Sequence, residues 1–177
     1  MTMQLQLQRC KSIVSGILLS AGEARGEAPV ETSLHHFLDD LVGQWRSTRP
    51  AQTLDFERTD LPDRAIISDS ALKQMIGNVL DNGVDAAPNQ PLRLRASCVD
   101  DWLILSVQDQ GPGFSAEMLA HFGKPYHSSK GRPGGGLGLF LSVNVARTLG
   151  GRIAASNKAG GGAEVVVSLP LAALTLH

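Results

Sequence analysis

The sequence predicts a single mixed α/β domain, on three observations. Segments that alternate apolar and polar residues, the mark of strands, are interspersed with segments whose apolar residues recur at intervals of three and four, the mark of helices. The 177 residues fit one domain of ordinary size. A hydrophobic content of 42% with 19% charged residues suits a buried core. Composition also narrows the function. A net charge of −1 gives no footprint for nucleic acid. No apolar run approaches the ~20 residues that span a bilayer, and no signal peptide is visible at the start. Two cysteines, Cys10 and Cys98, make no disulfide framework and suit a reducing cytosol.

Residues 3–21 read as a helix. Met3, Leu7, Cys10, Val14 and Ile17 follow the rhythm of a helix–helix seam, widened by Ile13 and Leu18. This helix is either an ordinary amphipathic one packing on its own domain or the second half of a larger helical hairpin. GEARGEAP, residues 22–29, is a polar stretch punctuated by Gly and Pro. Residues 33–46 form a second helix with Leu34, Phe37, Leu38, Leu41 and Trp45 inward and Thr32 or Ser33 as its N-cap. His35 and His36 point in diverging directions on that helix, which disfavours a metal pair and leaves them structural or exposed. Residues 52–57 and 65–68 alternate as strands.

The central helix is expected over 70–86. Met75, Val79, Leu80 and Val84 form its apolar back, and Asn78, Asp81, Asn82 and Asp85 fall on neighbouring turns of its front. Amides and carboxylates so placed suit a hydrated cation held against a phosphate, because Mg²⁺ keeps several waters and takes few protein oxygens. A solvated polar face is the plainer alternative. Residues 92–99 and 102–108 read as a hairpin turning at Asp100-Asp101, with Cys98 a small core residue. DQGPGF, residues 109–114, follows directly. The strand delivers Asp109 to the sheet edge, where a carboxylate can accept from an exocyclic amine such as that of adenine, while Gly111 and Gly113 permit unusual backbone.

A short helix is expected over 115–121. FGKPYHSSKGRPGG, residues 122–135, is polar and cationic through Lys124, His127, Lys130 and Arg132. A segment of that length suits either a lid over a polyphosphate or a solvated surface loop, and Ser128 and Ser129 are further phosphate donors. Gly134, Gly135, Gly136, Leu137, Gly138 and Leu139 lead into a helix continuing to Leu149. Free backbone N–H groups and the helix dipole make such a start an anion site. No Gly-Lys-Ser/Thr follows, so it is not a Walker loop, and no strand precedes it, so it is not the dinucleotide fingerprint. Gly150-Gly151 stops the helix. Residues 152–156 and 164–169 are the last strands, joined through Gly160-Gly161-Gly162.

Four stretches in fixed order, QMIGNVLDNGVDAA, DQGPGF, FGKPYHSSK and GGGLGLFLS, resemble the N, G1, F and G2 boxes of the sensor histidine kinase ATP-binding domain. That domain belongs to a wider superfamily that includes gyrase, Hsp90 and MutL. The resemblance covers residues 33–171. GRPGGGLGLFLSVNVARTLGG and RCKSIVSGILLSAGEARGEAP further resemble redox-responsive sensor kinases of the RegB/PrrB/RoxS type.

The resemblance implies a two-layer α/β (α+β) sandwich of the Bergerat type, with helices on one face of a mixed sheet. It divides the chain into a dimerisation and phosphotransfer helix over 1–24, a linker over 25–32, the catalytic domain over 33–171 and a tail over 172–177. It implies ATP and Mg²⁺ as cofactors. Asn78 and Asn82 match the metal-site amides. Asp109 matches the adenine carboxylate, shaped by Gly111 and Gly113, with Asp85 supporting that end. Phe122 anchors the lid. Lys130 and the backbone of Gly134, Gly136, Leu137, Gly138 and Leu139 match the phosphate contacts. Asn78 and Lys130 are the catalytic candidates.

Three positions depart from the family pattern. Gly83 replaces the usual Ala, at about 1 kcal/mol of helix propensity. Gln74 stands where Glu is common, and Gly135 where Thr or Ser is. Hydrolysing relatives carry a Glu at the place of Asn78 to activate water. An amide cannot accept that proton, so the γ-phosphoryl group is preserved for another acceptor. No His here has the flanking pattern of a phospho-acceptor. The implied partners are therefore a dimerisation and phosphotransfer domain, a response regulator receiver domain and a second copy of the parent protein. The implied place is the cytoplasmic portion of an inner-membrane sensor, with Cys10 either packing in the seam or forming a disulfide between dimer partners. The rival expectations are a non-catalytic nucleotide module and an anti-sigma-type serine kinase.

Overall fold

A five-stranded mixed sheet carries the helices on one face. The computed structural model describes residues 29–120, 122 and 135–175, with the backbone alone for 135–139. The elements run β1 (Val30–Ser33), α1 (Leu34–Thr48), β2 (Leu54–Thr59), β3 (Ala65–Ser68), α2 (Ser70–Ala86), β4 (Leu92–Val99), β5 (Trp102–Gln108), α3 (Ala116–Ala120), α4 (Gly135–Thr148), β6 (Arg152–Asn157), β7 (Ala163–Pro170) and a 3₁₀ turn (Leu171–Leu174). The main sheet has the order β2-β4-β5-β7-β6, and β1 and β3 form a separate two-stranded ladder. Only β2 and β4 are parallel within the main sheet, joined by the crossover that contains α2.

Register explains why one face takes the helices. Leu94 pairs with Val107, Ala96 with Leu105, Leu105 with Val167 and Val107 with Val165, and all of these are buried. Against them pack Phe37, Leu38, Leu41 and Val42 of α1 and Met75, Ile76, Val79 and Leu80 of α2. Burying each large side chain of this kind contributes about 1.5–3 kcal/mol. Ser33 caps α1 by accepting from the His36 N–H, and Asp69 caps α2 by accepting from the Leu72 N–H. Asp100 and Asp101 both have positive φ, the geometry of a two-residue turn that follows the twist of its hairpin.

His35 is structural, as expected. Its ring Nε2 lies 2.7 Å from the Leu61 carbonyl, so that nitrogen carries the proton, and its backbone N–H donates to Asp63. Cys98 is half-buried against the core.

The structure differs from expectation at both ends of the domain. Residues 30–33 form a strand on β3, and the first three of them fall where a linker was expected. Its residues are exposed or half-buried, so they carry no alternating pattern. At the other end Leu171 and Leu174 are buried, and the Leu171 N–H donates to the Asp101 carbonyl. Leu174, which falls where a tail was expected, thus belongs to the core. The helix expected over 3–21, with Cys10, lies outside the described residues.

Gly83 is buried, and a Cβ there would meet Leu92 Cδ1 at 2.5 Å. The residue that weakens the helix lets β4 approach it. Gly83→Ala is therefore expected to destabilise by about 1–2 kcal/mol despite alanine's better propensity, because overpacking outweighs it. Adding Leu92→Val removes the clash. The double variant should be more stable than the two single effects predict by about 0.5–1 kcal/mol, measured by urea denaturation.

On the open face, Glu164 accepts from Ser106 Oγ at 2.6 Å and Gln108 Nε2 at 3.1 Å. These bonds, Ser106 foremost, hold its carboxyl below the ordinary glutamate value of 4.5. The stability this provides is fully present above that value and is lost as pH falls through the lowered folded one. Ser106→Ala should move the Glu164 titration, followed by carboxyl NMR, back up toward the ordinary range.

Candidate functional site

The polar front of α2 is divided among three neighbours. Successive helical residues differ by about 100° in direction, so Asp81 and Asn82 leave the helix on opposite sides of the stripe. Asp81 turns to α1, where Oδ1 accepts from Trp45 Nε1 at 3.0 Å and lies 2.6 Å from Arg49 Nη2. The Arg49 guanidinium in turn lies 5.0 Å from the Trp45 ring. Asp81 is 41% exposed, so the ion pair itself contributes no more than about 1 kcal/mol. Its effect is orientation: it keys α2 to α1. Gln74 is exposed.

Asn78 turns to α4. Its Nδ2 donates to Ser142 Oγ at 3.3 Å, and Ser142, only 1% exposed, donates to the Met75 carbonyl at 3.3 Å. With its hydroxyl donating to that carbonyl, Ser142 accepts from the amide nitrogen of Asn78. Asn82 and Asp85 take the third direction, into a cavity of about 470 Å³.

The far wall of that cavity is the stretch after β5. Asp109 is 5% exposed, and its Oδ1 accepts from the Gly111 N–H at 2.8 Å and the Ala163 N–H at 3.3 Å. Its own N–H donates to the Ala163 carbonyl at 3.0 Å. Among the described residues Oδ2 has no donor, so the carboxylate keeps one acceptor for a ligand. A Cβ on Gly111 would lie 2.7 Å from the Ala86 carbonyl, so glycine is what lets this loop lie on the end of α2. Gly113 has φ +84°, in the left-handed region. Pro112, Gly113, Phe114, Ser115, Met118 and Ala163 complete the lining with Asn82, Asp85, Ala86 and Asp109. The Phe114 ring meets that of Phe122 edge-on at 6.0 Å.

Of the expected site residues, Asn82, Asp85, Asp109 and Gly113 meet at one cavity, with Gly111 shaping it and Phe122 packed behind Phe114. Asn78 stands one helical turn before Asn82, held by Ser142. Gly136, Leu137, Gly138 and Leu139 occupy the opening of α4, described by backbone alone. Lys130, Gly134, Lys124, His127, Ser128, Ser129 and Arg132 lie outside the described residues. The sequence did not reveal Ser142, Ala163 or Asn157, the last of which bonds both backbone groups of Phe114. A serine amid the apolar residues of α4 was the one visible sign; Ala163 acts through its backbone, which no side-chain pattern reports.

The chemistry of the site suits a nucleotide. A buried carboxylate with one oxygen spoken for matches a base that presents an amine. Among the described residues no three His, Cys, Asp or Glu gather as a metal cage. Amide oxygens one turn apart fit instead a hard cation that draws most of its ligands from phosphate and water.

Residues 68–173 match the family of histidine kinase-, DNA gyrase B- and HSP90-like ATPases. The chain is 35% identical over 169 residues to the C4-dicarboxylate transport sensor protein DctB of Pseudomonas aeruginosa, covering 91% of this chain and 27% of that protein. The chain thus spans about a quarter of that relative's length. In fold it is similar to full-length ShkA, solved in complex with AMPPNP, with a TM-score of 0.70 and 23% identity over 92% of this chain and 36% of that one. It is also similar to histidine kinase ThkA in complex with response regulator protein TrrA, with a TM-score of 0.68 and 20% identity over 93% of this chain and 48% of that one.

Proposed function

Because the chain belongs to the family of histidine kinase-, DNA gyrase B- and HSP90-like ATPases, we propose that it is the ATP-binding catalytic domain of a two-component sensor histidine kinase. The observation that carries the reading is the convergence of Asp109, Asn82 and Asp85 on one cavity, with Oδ1 of Asp109 already saturated by backbone donors. Oδ2 then accepts from the adenine 6-amino group. A guanine base, with a carbonyl at that position, meets a repulsive oxygen. Asn82 and Asn78 would hold Mg²⁺, which would supply positive charge to the phosphate end of the nucleotide. The opening backbone of α4 would meet the phosphate end, and the resemblance assigns Lys130 to the same role.

Asn78 sets the outcome of the reaction. Its amide, anchored through nitrogen to Ser142, has no basicity to draw a proton from water. Hydrolysis is slow and the γ-phosphoryl group passes to a histidine on a dimerisation domain of the parent protein, then to an aspartate of a response regulator. ThkA bound to TrrA supports that choice of partner. The resemblance to RegB/PrrB/RoxS-type kinases supports a finer assignment, with a homodimeric parent, its catalytic portion on the cytoplasmic side of the inner membrane, and Cys10 as a redox-responsive contact between protomers. Among the described residues no helix is long and apolar enough to cross a membrane.

Calorimetric titration tests the reading. ATP with Mg²⁺ is expected to bind, and GTP to bind at least ~10-fold more weakly, because a buried acceptor left opposite another acceptor is costly. Asp109→Asn should weaken ATP by roughly 10–100-fold. The chain alone should take up no label from γ-labelled ATP but should label an added acceptor-bearing hairpin. Absence of Mg-ATP binding, or labelling of the chain by itself, contradicts the proposal.

A further inference from the structure

Asn157 closes β6 and lies outside the cavity, yet it grips the cavity's wall. Its Oδ1 accepts from the Phe114 N–H at 2.7 Å and its Nδ2 donates to the Phe114 carbonyl at 2.8 Å. One side-chain amide thus captures both backbone groups of a single residue, reproducing a hydrogen-bonded pair of strand residues. Only a primary amide offers a donor and an acceptor side by side in that geometry: aspartate lacks the donor and serine has a single oxygen. Gly113 makes the approach possible, since a Cβ there would sit 2.8 Å from the same Oδ1.

The position of Asn157 in the sheet gives this clamp its meaning. Asn157 is the register partner of Ala163, whose N–H holds Asp109. The two ends of the 109–114 loop are therefore fastened to two residues that face each other across one rung of the β6–β7 ladder. The distance between the carboxylate and the Phe114 wall is set by that rung. Pro112 and Gly113 line the cavity between those two fastenings, Phe114 and Ser115 continue the lining, and Phe114 carries the clamp on to Phe122.

We propose that Asn157 is a positioning residue of the nucleotide site, setting through Phe114 the wall against which the base seats. The inference rests on the reading of the cavity as an adenine site. It assigns Asn157 to the base end and not to the phosphates. Removing it frees the wall without touching the ligand, so adenosine and ATP lose affinity by the same factor.

The test uses the 177-residue chain with Asn157→Ala and Asn157→Asp, titrated calorimetrically with adenosine and with Mg-ATP. Asn157→Ala is expected to raise both dissociation constants by about 5–20-fold, the equivalent of one or two hydrogen bonds, and Asn157→Asp to fall between it and the parent. In the hairpin-labelling assay KM for ATP should rise and kcat stay unchanged. Amide exchange at Phe114 should quicken while the rest of the amide spectrum is preserved. Unchanged adenosine affinity overturns the proposal. So does a loss confined to ATP, which places the effect at the phosphates, or a spectrum altered throughout, which makes Asn157 a general folding residue. Wild-type chain that binds neither ligand overturns the adenine reading and this inference with it.

Discussion

The capture of Asp109 Oδ1 by two backbone N–H groups is the constraint around which the site is arranged. A carboxylate placed deep in a fold needs donors, and side chains that supply them bring their own freedom. Here the donors come from Gly111, two residues on, and from Ala163 on the neighbouring strand. The pairing works only where the strands are in register, where the loop doubles back over the end of α2 and where glycine allows it to lie there. A Cβ on Gly162 would collide with the Asp109 carbonyl, so the same junction also dictates the turn between β6 and β7.

Helix α2 meets that junction from the other side, and its polar stripe is less uniform than its spacing suggests. Asp81 belongs to α1 and Asn78 to α4, while Asn82 and Asp85 belong to the cavity. The first two attachments hold the helix about its axis so that the other two side chains point one way. Neither attachment contributes much energy. Their value lies in fixing the polar side of α2 in the same rotational setting that its buried face takes against the sheet.

Most of the fold was legible in the sequence, because its elements are long and strongly periodic. The bounds of α2, β3, β4 and β5 agree with the residue pattern, and the turn at Asp100-Asp101 announced itself by residue type. The four-residue β1 and the 3₁₀ turn were not legible: one carries no alternation and the other is a single turn in which Leu171 and Leu174 eclipse each other. In the site, Asn82, Asp85, Asp109 and Gly113 were readable as residue types in order, and the cavity brings them together. What remained hidden acts across the chain. Gly83 looked like a defect because Leu92 is nine residues away, and Asn157, just past the expected strand over 152–156, drew no notice because Phe114 lies 43 residues earlier. Spacing within a segment carries no information about such partners.

Trp45 and Trp102 are the chain's two indoles, and they occupy opposite layers. Trp45 is 7% exposed and hydrogen-bonded to the central helix, whereas Trp102 is 37% exposed at the edge of the open sheet face. One emits from a sheltered setting and the other within reach of a dissolved quencher. Iodide therefore darkens the sheet layer before the helical one. The fluorescence that survives it reports on the helix beside the cavity, with no dye attached.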